Sequence, residues 1–156
     1  MAWKKTEYRK FRVRTPIKSF RDLEVYKKTT ELSADLYLIY LEIKKDKEFK
    51  DFKEEFEKLV NISKYVPKLI AESYGDRFSD FLVGLKKLEK TMSIISNVIA
   101  KADYIIYLLK DQNLKEQLSK TIGKYQTQRV KINNLRNAWE RTHGEMEEKK
   151  LKTKNV

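Results

Sequence analysis

The chain of 156 residues contains no cysteine. That absence excludes a disulfide framework, a thiolate zinc site and a cysteine nucleophile. Histidine occurs once, at His143, which removes most catalytic triads, paired-histidine zinc helices and His-rich metal centres. Four glycines and two prolines are too few for Gly-rich phosphate loops or for the many turns of an all-β sandwich. Long uncharged apolar runs are missing as well. The longest apolar stretch, Met92 to Leu109, is interrupted by Asn97, Lys101 and Asp103, and by Ser93, Ser96 and Ala100. A membrane span needs about 20 mostly uncharged apolar residues, so none is expected here. The first 18 residues, MAWKKTEYRKFRVRTPIK, hold seven Lys or Arg, one Glu and no apolar centre, unlike a secretory leader. The expected location is cytoplasmic.

What the chain does have is charge. Charged residues make up 37%, hydrophobic residues 40%, and the formal net charge is +12. Length and composition together predict one soluble helical domain with an acidic polymer or surface as partner, and disfavour most enzyme classes; the expectation is a protein that is not an enzyme and carries no cofactor.

Four segments carry a helical period. Pro16 breaks the chain before the first, and Ser19 and Asp22 are spaced as a capping box with Asp in place of the usual Glu. Its apolar face runs Tyr26, Thr29, Leu32, Leu36, Ile39 and Ile43, widened by Tyr37 and Tyr40. A second segment from about Glu48 alternates by three and four: Phe49, Phe52, Phe56, Leu59, Ser63, Val66, Ile70. That spacing is the seam of left-handed bundle packing. Its outer face carries opposite charges one turn apart, such as Asp46 and Lys50, Lys50 and Glu54, Lys53 and Glu57. Pro67 is expected to kink this helix, and Gly75 to end it.

The third segment is expected to open between Asp76 and Ser79 and to reach about Lys110; the fourth opens at Asp111 to Asn113 and reads Leu114, Leu118, Ile122, Tyr125, Ile132, Leu135, Trp139. The reading is an all-α fold, an antiparallel up-down four-helix bundle with a kinked second helix. Residues 1–18 form a basic flexible arm, 19–143 the bundle, and 144–156 a charged, fraying tail. Between Met92 and Leu109 the apolar positions cover more than half the circumference, which predicts burial on two sides and a homo-oligomer with Ile94, Val98, Ile105 and Leu108 at its interface.

Three patterns raise the question of chemistry. Glu140-x-x-His143 is half of a di-iron ligand set, but no second copy exists to complete it, so a solvent-exposed pair is expected and no metal. Glu72, Asp76 and Asp80 recur every four residues, as for a hard cation; a helix break at Gly75 would separate them and leave a cap and surface acids. Most aromatics, including Tyr26, Tyr40, Tyr74, Tyr125 and Trp139, fall at seam spacing and belong to the core or an interface. Trp3, Tyr8 and Phe11 differ, because they alternate with Lys4, Lys5, Arg9, Lys10, Arg12 and Arg14. Such an arm suits nucleic-acid backbones with occasional base stacking.

The charge is uneven. Residues 1–18 carry seven Lys or Arg against one acid, residues 19–140 carry 23 against 19, and residues 141–156 carry five against three. Residues 117–139 hold five cations and no acid. Lys120, Lys124 and Lys131 share one face, with Arg129 and Arg136 on the flank of the seam. Repeated by oligomer symmetry, this stripe would bind phosphates by counterion release, without reading sequence.

Ser19-Phe20-Arg21-Asp22-Leu23-Glu24-Val25-Tyr26 resembles the opening of the small bacterial four helix bundle protein family, typically FRDL-x-VW/Y. Pro67 followed by Ile70-Ala71-Glu72-Ser73-Tyr74-Gly75 is similar to that family's P-x-x-IAEG-aromatic turn, and Asp80-Phe81-Leu82 stands where the family has EFL. The resemblance covers about residues 17–140. The family includes proteins encoded in intervening sequences of large-subunit ribosomal RNA genes, and Avd, the accessory variability determinant of diversity-generating retroelements. It implies an antiparallel four-helix protomer, often a cyclic pentamer. For the Avd branch it implies a basic surface that binds RNA or DNA and docks an error-prone reverse transcriptase. The stretch Asn134-Leu135-Arg136-Asn137-Ala138-Trp139 is closer to Avd-like members, whereas Lys90, Ile94 and Ser96 replace the family's Gly and acid pattern in mid-helix three. Two alternatives stand beside this reading: a scaffold that binds only protein, and a Mg²⁺-dependent enzyme acting on phosphodiesters through Glu72, Asp76 and Asp80.

Overall fold

Ser19 and Asp22 form the predicted capping pair, but around a single 3-10 turn, Phe20–Asp22, rather than the first long helix. Ser19 Oγ accepts the Arg21 N–H at 3.2 Å, and the Asp22 carboxylate accepts the Lys18 and Ser19 N–H groups at 2.8 and 3.2 Å. These backbone donors hold the Asp22 carboxyl below its ordinary pKa. The structure, a computed structural model, describes residues 16–45, 49–50 and 52–155. Every arm residue singled out above, from Trp3 to Arg14, lies outside the described residues, as do Asp46 and Glu48.

The chain is all-helical, with no strand among the described residues. Helix α1 spans Glu24–Ile43, α2 Lys53–Ser63, α3 Tyr65–Ser79, α4 Phe81–Leu108 and α5 Gln112–Lys154. The predicted second helix is therefore two elements divided at Lys64. The division falls one turn before Pro67, whose missing N–H cannot bond the Ser63 carbonyl and whose ring crowds it.

Gly75 does not end a helix: α3 runs through it, and no glycine has positive φ among the described residues. The run stops instead at Asp80, which adopts extended backbone and caps α4 by accepting the Val83 N–H at 3.3 Å. Asp111 caps α5 in the predicted place, its Oδ1 accepting the Asn113 and Leu114 N–H groups at 2.9 and 3.3 Å. Helix α5 also passes through Gly144 and continues to Lys154, where a fraying tail was expected. At ~1.5 Å per residue it is about 65 Å long, well beyond the reach of α4.

One core joins all five helices. Leu36, Phe56, Leu59, Ile70, Leu88, Ile95, Leu118, Tyr125 and Ile132 are wholly buried in it. Each such aliphatic or phenyl side chain contributes about 1.5–3 kcal/mol by leaving water. Tyr40, Phe49, Phe52 and Phe56 form an aromatic cluster with ring centroids 5.1 to 6.3 Å apart, closing the α1–α2 end. Tyr26 and Tyr74 pack half-buried against the core, and Tyr40, Tyr125 and Trp139 lie within it.

Helix α4 is apolar on more than one side because α2, α3 and α5 all pack against it. Val98 and Ile105, expected at an oligomer interface, are fully buried in the chain's own core. Ile94 is half-buried and packs on the core edge, and Leu108 is exposed beside Tyr104 and Tyr107. Gly84 sits where α4 approaches α3 closely: a Cβ there would lie 2.9 Å from Arg77 N, Cα and Cβ.

Candidate functional site

The predicted cationic stripe on α5 divides between two edges. Lys131 Nζ donates to Glu24 of α1 at 3.0 Å, a bond that lowers the Glu24 pKa. Arg129 and Arg136 turn to α4 instead. Arg129 Nε donates to Ser96 Oγ at 3.0 Å, and Arg136 bonds Glu89 at 2.7 Å and Glu140 at 3.2 Å. Lys131 and Arg136 are thus already neutralised locally. Lys120 and Lys124 have no ion-pair partner among the described residues. They line a shallow groove of about 500 Å³ between α1 and α5, together with Leu38, Ile39, Gln117 and Thr121 and with the acids Asp35 and Glu42. Glu140, one half of the Glu-x-x-His pair, is spent on Arg136, and His143 lies parallel on Phe81 at 3.8 Å between centroids.

Unbroken helix through Gly75 does bring Glu72 and Asp76 to one face. The space between them is filled from within the chain, because Lys87 Nζ of α4 pairs with both Asp76 and Glu72, the latter at 3.3 Å. The Asp76 bond is the main reason the Lys87 pKa is raised. Asp80 turns away to cap α4. An ammonium therefore occupies the position a hard cation would take, and no cluster of three metal-ligating side chains occurs among the described residues.

A polar layer crosses the core at the α2–α3 break. Ser33 and Ser63 hydroxyls bond at 2.8 Å, and Ser63 also donates to the Val60 carbonyl at 2.6 Å. The Tyr125 hydroxyl nearby is buried without a hydrogen-bond partner of good geometry among the described residues, and burial pushes its pKa up.

The corner where α3, α4 and α5 meet holds a site that helical periodicity does not reveal. The Arg77 guanidinium carbon lies 4.4 Å from the Trp139 ring centroid, 4.6 Å from Phe78 and 4.9 Å from Tyr74. Its Nε is buried with no hydrogen-bond partner among the described residues, and burial lowers its pKa, an effect that the neighbouring Tyr74 hydroxyl offsets only in part. Beside it opens a pocket of about 340 Å³ lined by Phe78, Phe81, Trp139, His143, Met146 and Lys150 among others. The signal in the sequence is three aromatics, Tyr74, Phe78 and Phe81, flanking a lone Arg at a helix junction.

Comparison with protein-family models, with curated proteins and with solved structures found no match. No helix among the described residues is long and apolar enough to cross a membrane.

Proposed function

We propose that this chain is a non-enzymatic scaffold that binds RNA or DNA through electrostatic contacts. The observation that carries the reading is the concentration of its +12 charge in the first 18 residues and in the acid-free stretch 117–139. The arm cations Lys4, Lys5, Arg9, Lys10, Arg12 and Arg14, with Lys120 and Lys124, which have no ion-pair partner among the described residues, would contact phosphates first. Arg129, Lys131 and Arg136 would join only by exchanging their present partners. Asp35 and Glu42, on the facing side of the groove, temper its potential and favour a weak, sequence-blind contact.

The protomer is read as an antiparallel up-down bundle whose second helix, α2 plus α3, is kinked at Lys64. Its support is the direction of the cross-helix pairs. Tyr40 meets Glu57 and Ser33 meets Ser63 between α1 and α2; Glu89 meets Arg136 and Ser96 meets Arg129 between α4 and α5. In each case one number rises as the other falls. With the FRDL and P-x-x-IAE motifs, this makes an Avd-like accessory protein the best reading: a cytoplasmic homo-oligomer, pentameric by resemblance, that holds nucleic acid against a reverse transcriptase.

The alternative, a scaffold that binds protein only, draws on the exposed rings of Tyr104 and Tyr107 beside Leu108. Binding of a structured RNA followed against salt separates the two. Each phosphate contact contributes ~0.7–0.9 to the slope of log affinity against log salt. The double variant K120E/K124E should therefore bind more weakly and lose up to ~2 units of slope. A wild-type protein indifferent to RNA at low salt refutes the proposal.

A further inference from the structure

The pocket beside Arg77 has features the electrostatic reading does not use. A guanidinium held among three aromatic rings, its Nε buried and unbonded and no ion pair made to it among the described residues, is a cation placed for an outside anion. Lys150 adds a second cation on the α5 side, shared at 3.4 Å with Glu147. Thr142 and the Glu147 carboxylate also line the pocket, Glu147 being the partner that a phosphate on Lys150 would displace; the other walls are flat or apolar. The parallel Phe81 and His143 rings and the half-exposed Met146 bound the cavity, with the Trp139 indole packed behind it. A volume of about 340 Å³ lies at the small end of organic-ligand sites. It admits one flat ring with a charged group, not a folded partner.

The geometry points to a nucleotide site: the base stacks on the ring faces at Phe81, His143 and Phe78, and the phosphate meets Arg77 and Lys150. A phosphate can take both cations at once, and Arg donates to it in a fork that Lys cannot offer. This inference deepens the proposed nucleic-acid reading and rests on it, yet uses a separate part of the molecule. Fifteen residues of α5 separate Lys124 from Trp139, about 22 Å along the helix. The occupant is either a free mononucleotide or one unstacked nucleotide of a strand, chemistry that the pocket reads in the same way.

Trp139 lines the pocket and serves as its own reporter once the second tryptophan is removed by Trp3→Phe. In that background, fluorescence is titrated with adenosine 5′-monophosphate, adenosine, phenylacetate and a short single-stranded oligoadenylate. Saturable quenching by the mononucleotide is expected, about ten-fold or more tighter than by adenosine, since a charge-assisted contact is lost with the phosphate. R77M should lose that preference. F78A, at a side chain 70% exposed and so outside the core, should weaken both adenine ligands. Quenching by the oligonucleotide alone, still lost in R77M, assigns the site to a nucleotide within a strand and upholds the inference.

Equal affinity for adenosine and its monophosphate, equal quenching by phenylacetate, or an unaltered response in R77M and F78A overturns it. So does the absence of saturable quenching by any adenine ligand. K120E/K124E should leave the mononucleotide response unchanged while weakening RNA binding, so failure of the pocket and failure of the electrostatic proposal are told apart.

Discussion

Replacing Gly84 by alanine should destabilise the protein even though alanine is the better helix former. Glycine in a helix interior costs ~0.8–1.0 kcal/mol relative to alanine, so on propensity alone Gly84→Ala would stabilise by that amount. The structure opposes it. The new Cβ would lie 2.9 Å from Arg77 N, Cα and Cβ, and two of those three atoms are backbone. Side-chain rotation cannot relieve the clash; α3 and α4 must separate at a junction tied by the Asp80 cap. Overpacking of this kind costs ~1–3 kcal/mol, which leaves a net loss of about 1 kcal/mol, or a fall in Tm of ~2–4 °C for a chain of this size. Gly75 is the internal control. It lies in helix α3, and nothing stands within 4 Å of its Cβ position, so Gly75→Ala should raise Tm by a similar increment. Thermal unfolding followed by the far-ultraviolet circular dichroism of the helices reads both. If Gly84→Ala raises Tm as Gly75→Ala does, the close approach of α3 to α4 is refuted.

Other consequences follow from single contacts. Lys87→Ala should leave Glu72 and Asp76 facing each other across an open gap, so Ca²⁺ should raise the variant's Tm while leaving the parent's unchanged. Exposure of all three side chains near one third limits the loss of the ion pairs themselves to below ~1 kcal/mol. Tyr40 donates to Glu57 at 2.6 Å, and this bond together with burial raises its pKa from 10.0 to about 12. A group whose folded pKa is raised contributes stability that is complete below pH 10.0 and lost as pH climbs towards about 12. Denaturant unfolding of Tyr40→Phe should therefore show a shallower alkaline decline over that interval; an unchanged slope would sink the assignment. Tyr125→Phe removes a buried hydroxyl that lacks a well-formed partner, so its Tm should equal or exceed the parent's, against the usual cost of a core substitution. A fall of several degrees would mean that the hydroxyl is bonded after all.

Helix existence was legible wherever burial follows a period. The seam from Phe49 to Ile70 predicts the buried positions almost residue by residue, with Phe52 alone left half-buried. Side-chain caps were legible too: Ser19 with Asp22, and Asp111, act through bonds spanning two to four residues. Gly75 misled because glycine's preference for helix ends is a tendency of its own backbone, while the end of α3 is set five residues on by Asp80. The breadth of the apolar surface on α4 was real but did not identify its neighbour. A wide stripe says that more than one side is covered, and three helices of the same chain pack against α4, in whose core-facing surface Val98 and Ile105 are buried.

The candidate site was legible only as a list of charges, because pairing depends on register between distant segments. The partners of Lys131 and Arg136 lie 107 and 47 residues away in the sequence. Five cations on an acid-free stretch therefore read as one stripe, whereas the fold neutralises two, tethers a third to Ser96 and leaves two facing a groove. The same reasoning accounts for the Arg77 pocket. Residues 144–154 hold only Met146 and Leu151 as large apolar side chains, too few for a periodic face, so periodicity gives no cause to continue the helix there. Yet α5 outruns α4, and its next turns carry His143, Met146 and Lys150 past the end of that helix onto the α3–α4 corner. A segment with no core pattern of its own thus completes a site, because it meets rings the core covers only in part: Phe81 at the core edge and the exposed Phe78.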